Sequence, residues 1–324
     1  MSITLKAKGF QIQGNSFLVK NLIFLDSILR GIGQVMFQNN SYTGIVFLIG
    51  IFYNSTLFGL AALFGTIIST MTAYGLRADR FQIQNGLFGF NGALTAIGLL
   101  FFLEPNALTW VYVIVAAMAS TVLTSALAQL LKLLKLPTLT APFVITTLIF
   151  LMACARFGRL QTTQLLPNAG LPTLAHVEGV VSATTLTEGL IKGVSQVFFQ
   201  ENIITGILFL IGLILNSRRC FTMAIIGSIM GLLTAWLLGA SEPAMRSGAF
   251  GFNSVLTAIA LGSIFLRPSV SSFLYTLLGT TITTVAFAAI SGTFEPIGMP
   301  AMTLPFVIIT WVFLLTNKEN NKTE

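Results

Sequence analysis

One stretch of the sequence is written twice, and this duplication limits what the chain can fold into. Residues 31–44 read GIGQVMFQNNSYTG, and residues 193–206 read GVSQVFFQENIITG. Gln196 follows Gln34 by 162 residues, which is half of the 324-residue chain. A repeat of this length indicates two fused copies of one folding unit.

The same offset continues along most of the chain and then lengthens by one residue. The matching segments are 88–91 with 250–253, 94–97 with 256–259 and, at an offset of 163, 137–147 with 300–310. Residues 157–185 are more polar and rich in threonine, so they have the composition of a connector. We therefore expect a first repeat at 15–156, a connector at 157–185 and a second repeat at 186–317.

The composition indicates a membrane protein with several spans. Hydrophobic residues make up 55% of the chain and charged residues only 8%, with a mean hydropathy of +0.88. A soluble domain carries about a quarter charged residues. The net charge of +7 is spread over short loops, which is typical of residues that orient spans rather than of a nucleic-acid interface. We expect no nucleic-acid partner and an all-α polytopic protein in a lipid bilayer.

Each half contains six apolar segments, and the fourth differs from the others. It starts with a glycine- and asparagine-rich stretch, 85–92 or its counterpart at 247–254, and then has only a short apolar run. So short a segment indicates re-entry into the membrane rather than a complete crossing. Each half then crosses about five times, an odd number, which predicts two inverted halves with the working site between them. The distribution of Lys and Arg favours both termini on the cytoplasmic side.

Several classes of function lack the residues that they need. The single histidine, His176, lies in the connector, and no Walker loop or metal-ligand spacing occurs. We therefore expect no enzyme, no metal and no cofactor. No acidic residue recurs within a span of both halves, which argues against an ion-coupled carrier. Glu201, whose counterpart is Asn39, is the one acid that such a carrier could use.

The polar and aromatic residues that do recur are neutral. Amides, aromatic rings, leucines and threonines occupy matching positions in both halves. The recurring residues are Gln34 and Gln196, Phe37 and Phe199, Phe90 and Phe252, Leu94 and Leu256, and Thr140 and Thr303. A single phenylalanine, leucine or threonine is usually a core or helix-packing residue. Because these residues are paired, a twofold arrangement would bring them together around one passage.

These motifs resemble those of the urea transporter family. The resemblance rests on Gly-x-x-Gln-Val-x-Phe, Gly-Phe-Asn-x-x-Leu and the Leu-Pro-x-x-Thr-x-Pro-Phe segment at 136–143. All three occur in both halves, with Met299 in place of the leucine before Pro300. The resemblance covers about residues 20–316. It implies a homotrimer in a cell membrane (inner or plasma), each subunit having its own pore on the pseudo-twofold axis, with five spans and a pore half-helix from each half.

The resemblance also implies passive, channel-like permeation of urea, with a role for each recurring residue. Gln34 and Gln196 would offer oxygens near the two ends of the narrow region, where Val197 also belongs to the lining. The four phenylalanines would form the flat walls of a slot that Leu94 and Leu256 narrow. Thr140 and Thr303 would line its middle.

Three alternatives remain open from the sequence. A channel of similar build could carry another small neutral solute, such as ammonia, a short amide or water. An ion-coupled secondary carrier would depend on a buried acid. A membrane protein that does not transport could use the repeats only to build an oligomer.

Overall fold

The structure is a computed structural model that describes residues 2–6, 9–13, 17–171 and 177–316, so His176 lies outside the described residues. It begins with an antiparallel hairpin of β1 (Ser2–Lys6) and β2 (Gly9–Gln13), in which Ser2 pairs with Gln13. The sequence analysis missed this hairpin, although polar and apolar residues alternate in both strands. From residue 17 onward every regular element of the described residues is a helix, apart from an isolated bridge between Leu103 and Thr162, which confirms the prediction of an all-α fold.

Seven helices in each half follow one another in the same order. The first half contains α1 (Phe17–Gln34), α2 (Ser41–Asn54), α3 (Thr56–Gly75), α4 (Arg80–Gln84), α5 (Gly89–Phe102), α6 (Ala107–Lys132) and α7 (Ala141–Cys154). The second contains α8 (Ala183–Ser195), α9 (Ile203–Asn216), α10 (Arg218–Leu237), α11 (Glu242–Arg246), α12 (Phe252–Ile259), α13 (Val270–Phe294) and α14 (Leu304–Thr316). Six of each seven coincide with the predicted apolar segments. The short helices α4 and α11 were not predicted.

The helix starts are capped by matching polar residues in the two halves. Asn40 and Asn202 accept backbone N–H bonds at the starts of α2 and α9. A single serine, Ser55 or Ser217, ends one helix and caps the next. Side-chain oxygens at this position satisfy N–H groups that have no partner within the helix.

The first helix of each half approaches the fifth through glycines. A Cβ built on Gly31 would lie 3.3 Å from the Cα of Gly89, and one on Gly193 would lie 3.1 Å from the Cα of Gly251. Small residues allow the backbones of two helices to come this close. The approach brings the end of α1, with Gln34, beside the start of α5, with Phe90.

The two halves pack against each other through α2 and α9. The rings of Phe47 and Phe209 have centroids 4.8 Å apart. Thr43 Oγ1 donates to Gly212 O at 2.8 Å, and Thr205 Oγ1 donates to Gly50 O at 2.9 Å. The two phenylalanines are equivalent positions, 162 residues apart. The two threonine bonds are equivalent to each other, with the donor in the first half in one bond and in the second half in the other.

A second pair of bonds shows the same exchange. Asn54 Nδ2 donates to Gln200 Oε1, and Asn216 Nδ2 donates to Gln38 Oε1, both at 2.8 Å. Reciprocal contacts of this kind are the pattern of an isologous, twofold interface.

The halves differ where the sequence offset changes from 162 to 163. The α5 helix is regular as far as Phe102, whereas α12 is continued by a π-helical segment at Ala260–Phe265. Such a wide turn accommodates one inserted residue without ending the helix. After the inserted residue the two halves have equivalent structures again, since Leu103 and Leu266 both end their helices in extended backbone.

Within the described residues, four helices are long and apolar enough to cross a membrane, namely α3, α6, α10 and α13. The α8 and α9 helices pass the same test together, with a bend of 74° between them. The shorter apolar helices include α2 and α7 as well as α5, each of 14 residues. A 14-residue helix is about 21 Å long, which is short of a bilayer core of about 30 Å. Shortness is therefore not a property of the fourth segment alone.

Candidate functional site

Two cavities contain most of the residues that the sequence analysis selected. The first cavity, of about 640 Å³, is lined by Gln34, Phe37, Phe90 and Thr140 among others. The second cavity, of about 710 Å³, is lined by Gln196, Val197, Phe199, Phe252 and Thr303 among others. Both walls are largely apolar, with polar side chains at a few positions, which is typical of a binding site for a small molecule.

The two cavities approach each other at the paired threonines. Thr140 Oγ1 lies 2.7 Å from Thr303 Oγ1, a hydrogen-bonding distance between two hydroxyl groups. Thr140 lines the first cavity and Thr303 the second, and each residue is only 3% exposed. A contact between equivalent side chains of the two halves therefore joins the wall of one cavity to the wall of the other.

Leu94 and Leu256 line neither cavity. Both side chains are fully buried in the same hydrophobic core as Val35, Val197 and Phe143. Each leucine follows a cavity phenylalanine, Phe90 or Phe252, by four residues, so it lies one helical turn deeper on the same face. Their assignment as narrowing residues stays a prediction.

The two glutamines are held by equivalent backbone groups. Gln34 Nε2 donates to Asn85 O at 2.9 Å, and Gln196 Nε2 donates to Ser247 O at 3.0 Å. A carbonyl can only accept, so these bonds fix which end of each amide is the nitrogen. Neither Oε1 accepts a hydrogen bond from the part of the chain that the structure describes. Each amide can therefore present an acceptor to a solute.

Phe37 and Phe199 follow the ends of α1 and α8 in strained backbone. Their φ angles are 62° and 60°, in the left-handed region that non-glycine residues rarely occupy. This conformation costs on the order of 1–3 kcal/mol and is concentrated at functional sites. That both halves keep it at matching positions indicates a requirement for where these rings point.

Each of these rings packs against the opposite half. Phe37 meets Phe265 and Phe306 edge-on, with centroid distances of 5.9 and 6.2 Å. Phe199 meets Phe102 and Phe143 edge-on, both at 6.1 Å. The partners are equivalent at an offset of 163, so the wall of each cavity is built from both halves.

A second strained pair precedes the threonines. Leu139 has φ 51° and Met302 has φ 47°, and each lines the cavity of its own threonine. Together with Phe37 and Phe199 they form two matching pairs among the five cavity-lining, non-glycine residues with left-handed backbone, the fifth being Lys135. Backbone strain and cavity lining coincide at these positions.

A comparison with models of known protein families finds a match that covers nearly all of both halves. A sequence model described as "Urea transporter" matches residues 25–318. The chain belongs to the urea transporter family. This confirms the resemblance seen in the repeated motifs.

Individual relatives show the same similarity. The chain is 33% identical over 303 residues to the rat protein (Rattus norvegicus) named urea transporter 1, a match that spans 92% of this chain and 78% of the relative. The sheep (Ovis aries) and goat (Capra hircus) proteins of the same name are each 32% identical over the same length. Urea transporters are integral membrane transport proteins and not enzymes.

In this urea transporter, Glu201 is not placed as an ion-coupling acid would be. Its side chain is 55% exposed, and its carboxylate lies 3.4 Å from Lys192 Nζ. A coupling acid lies inside the membrane and faces a cavity. Glu201 lines neither of the two cavities.

Several residues of the cavity walls were missed by the sequence analysis. Phe102 and Phe265 are equivalent at an offset of 163, and a search for matching aromatics would have found them. Phe287 lines the second cavity, but its counterpart in the first is Thr124, so symmetry could not reveal it. Lys132 and Glu295 are also equivalent and line opposite cavities with opposite charges.

Proposed function

We propose that this urea transporter is a passive channel in which urea passes between the two cavities through a slot at Thr140 and Thr303. The observation that carries this proposal is the meeting of the two threonine hydroxyls, 2.7 Å apart, between two aromatic-walled cavities. Gln34, Phe37, Phe90 and Leu94 line the path in the first half. Gln196, Val197, Phe199, Phe252 and Leu256 line it in the second.

The proposed lining suits the chemistry of urea. Urea is flat and neutral, with two weakly hydrated faces and four N–H bonds at its edge. Rings such as Phe37 and Phe199 contact the faces, and oxygens of the glutamines and threonines accept from the edge. Several acceptors in succession are needed, because a polar group without a partner in an apolar slot costs several kcal/mol. Each site must also bind weakly enough to release the solute.

The uncharged slot between the two cavities also explains why ions would be excluded. The threonine contact and the phenylalanine walls offer no charge that would compensate an ion for its lost hydration. An ion therefore meets a far larger barrier than urea. Passive permeation of a neutral solute needs no coupling group, in agreement with the exposed position of Glu201.

We further propose that the two repeats, 15–156 and 186–317, are inverted in the membrane and are joined by 157–185. Support comes from the reciprocal contacts of α2 with α9 and from the reciprocal packing of Phe37 and Phe199. An interface of this kind places the Thr140–Thr303 contact near a pseudo-twofold axis. In an inverted repeat that axis lies in the membrane plane, with the site near the midplane. The re-entry of the fourth segment, now α5 or α12, is part of this proposal.

The assembly and location follow from the family resemblance. We place the protein in a lipid bilayer of the cell (inner or plasma) membrane as a homotrimer, with one pore in each subunit and both termini in the cytoplasm. The size of the assembly can be measured by mass analysis of the protein in detergent. A monomer or dimer would reject the trimer without affecting the proposed pore.

Purified protein in liposomes tests the transport mechanism. Vesicles loaded with urea are diluted into urea-free buffer, and efflux is followed by light scattering with and without sodium and proton gradients. We expect fast efflux that is the same under all gradients and is not saturated at low urea concentrations. Efflux that requires a gradient would reject the channel, and efflux of ammonia or acetamide without urea would reject the substrate.

A further inference from the structure

Two buried asparagines lie directly behind the paired threonines and do not touch either cavity. Asn91 is in the first turn of α5 and Asn253 in the first turn of α12. They are 0% and 1% exposed and are equivalent at the offset of 162. In the sequence they belong to the Gly-Phe-Asn-x-x-Leu motif of each half, and no role was predicted for them.

Each asparagine uses both ends of its amide on the segment that contains a threonine. Asn91 Nδ2 donates to Leu139 O at 3.3 Å, and Asn91 Oδ1 accepts from the backbone N–H of Phe143 at 3.2 Å. Asn253 Nδ2 donates to Met302 O at 3.0 Å. Its Oδ1 accepts from the backbone N–H of Phe306 at 3.2 Å.

The second of these bonds is one that the threonine would ordinarily make. Thr140 is the N-cap residue of α7, and Phe143 is the third residue of that helix, after Pro142, which has no N–H. A threonine at an N-cap usually accepts from the second or third N–H of its own helix. Thr140 makes no such bond: Asn91 occupies that N–H, the Thr140 backbone (φ −93°, ψ 14°) lies outside the extended region of an ordinary N-cap, and the Thr140 hydroxyl faces Thr303.

The same arrangement occurs at the second threonine. Thr303 precedes α14, and its carbonyl accepts from the N–H of Val307, as the carbonyl of Thr140 accepts from Val144. Asn253 occupies the N–H of Phe306, and the Thr303 hydroxyl faces Thr140. A side chain from a neighbouring helix therefore caps both α7 and α14.

The first bond of each asparagine holds the strained residue beside the threonine. Leu139 and Met302 have left-handed backbone, and the carbonyl of each accepts from an asparagine amide. A sparsely populated conformation persists only where surrounding contacts hold it. The asparagines thus fix the residue before each threonine and the third residue after it.

We infer that Asn91 and Asn253 are positioning residues that cap α7 and α14 from outside and so leave the Thr140 and Thr303 hydroxyls available to the permeating solute. The inference rests on the proposed function, because it assigns those hydroxyls to the passage. Without Asn91, the carbonyl of Leu139 and the N–H of Phe143 both lose their partner. The Thr140 backbone is then released to the extended conformation of an ordinary N-cap, in which its hydroxyl caps its own helix and is withdrawn from the passage.

A double-mutant cycle on urea permeability tests this. Asn91→Ala, Thr140→Val and the double variant are compared in liposomes, with permeability normalised to the amount of folded protein. We expect Asn91→Ala to lower permeability as much as Thr140→Val does, by about tenfold, which is the effect of losing one hydrogen bond of about 1.4 kcal/mol. The double variant should match either single variant within about twofold, because both act on one hydroxyl. Reductions that multiply would overturn the inference.

Asn106→Ala is the matched control. Asn106 caps α6 in the ordinary way, accepting from the N–H of Thr109 at 2.9 Å, and lines neither cavity. Its loss should lower the thermal midpoint and leave permeability unchanged. If Asn91→Ala also changes only the thermal midpoint, Asn91 has a structural role and the inference fails.

The second half provides an independent cycle with Asn253→Ala and Thr303→Val. If the alanine variants do not fold, Asn91→Leu replaces Asn91→Ala, since it removes both hydrogen bonds and fills nearly the same space. Its permeability should fall as far as that of Thr140→Val, and permeability within about twofold of the native value would overturn the inference. Normal permeability in both threonine variants would instead reject the proposed lining.

Discussion

The two halves of the molecule make nearly the same contacts at their interface, and their residues differ toward the outer ends of the cavities. At the centre, Thr140 meets Thr303, and the asparagines, glutamines and strained phenylalanines make the same bonds in both halves. At the outer ends, Lys132 and Glu295 have opposite charges. Thr124 of the first cavity stands where the second has Phe287.

The difference teaches which part of the passage depends on both halves. A residue at the centre contacts its own counterpart or packs against the opposite half, as Phe37 does with Phe306. A change there alters the environment of both copies, so both must fit. A residue at an outer end, such as Glu295, faces only one cavity, and the halves can diverge there without disturbing the contact between Thr140 and Thr303.

The glutamines show the boundary between these regions. Their own bonds to Asn85 and Ser247 are equivalent. Beyond them, Asn85 is tied by its side chain to Asn39 at 3.0 Å, and Asn39 accepts from Arg30 at 2.8 Å. Ser247 instead donates to Ala244 O at 3.0 Å. Both halves therefore have the same hydrogen bond to the glutamine side chain, but the residue whose carbonyl accepts that bond is held by different neighbours in each half.

The largest expected effect comes from the central threonines. Thr140→Val and Thr303→Val each keep the shape of the side chain and remove an oxygen, so urea permeability should fall by about tenfold, the equivalent of about 1.4 kcal/mol. Because the two hydroxyls contact each other, the two variants should lose similar amounts. Permeability per folded protein in liposomes measures this. A loss in one half only would break the equivalence of the two sides.

The next effect concerns the aromatic walls and should be unequal. Phe252 has the ring of Phe287 at 5.5 Å, whereas the corresponding position beside Phe90 is Thr124. Phe90→Ala should therefore raise the permeability of thiourea relative to urea severalfold, and Phe252→Ala should raise it less, since Phe287 remains in the wall. The permeability ratio for the two solutes is the measurement. Unchanged selectivity in both variants would remove these rings from the slot.

Stability tests the α2–α9 interface. A Cβ at Gly212 would lie 2.6 Å from Phe47 Cε1, and one at Gly50 would lie 3.1 Å from Phe209 Cε1. Overpacking costs typically about 1–3 kcal/mol, so Gly212→Ala should lower the thermal midpoint in detergent by more than Gly50→Ala does. Gly75→Ala, where a Cβ meets nothing within 4 Å, is the control. Equal midpoints for all three variants would contradict the tight packing described for this interface.

The smallest effect is expected at the charged outer ends. Lys132→Glu and Glu295→Lys exchange the charges of the two cavities. Urea is neutral, and charges near water are screened beyond about 10 Å at an ionic strength of 0.1 M. Urea permeability should change by less than about twofold in either variant. A large change that disappears in high salt would indicate that a charged species is being carried.

The sequence predicted the helical segments well, because both copies of the repeat contain the same apolar runs. The offset of 162 identified the paired residues, and its change to 163 corresponds to the π-helical segment at 260–265. Bulky apolar runs between serine and asparagine caps are enough to locate helices such as α3. The N-terminal hairpin was missed because the prediction was based on long apolar runs, whereas each strand of the hairpin has only 5 residues.

The sequence could predict which residues belong to the site, but it could not predict how those residues contact one another. That Phe37 packs on Phe306 depends on how the halves meet, and no local pattern specifies this. The role of Asn91 was hidden for the same reason, since its partners Leu139 and Phe143 are 48 and 52 residues away. Phe287 has no counterpart, so a method based on repetition cannot find it.

The central claim is that two inverted copies of one unit enclose a passage with one cavity facing each side of the membrane. Gln34→Cys and Gln196→Cys, made with the buried Cys154 and Cys220 replaced by alanine, can be labelled in sided vesicles with a membrane-impermeant thiol reagent. The account predicts that Gln34→Cys reacts from one side only and Gln196→Cys from the other. Labelling of both from the same side, or of neither from any side, would contradict it.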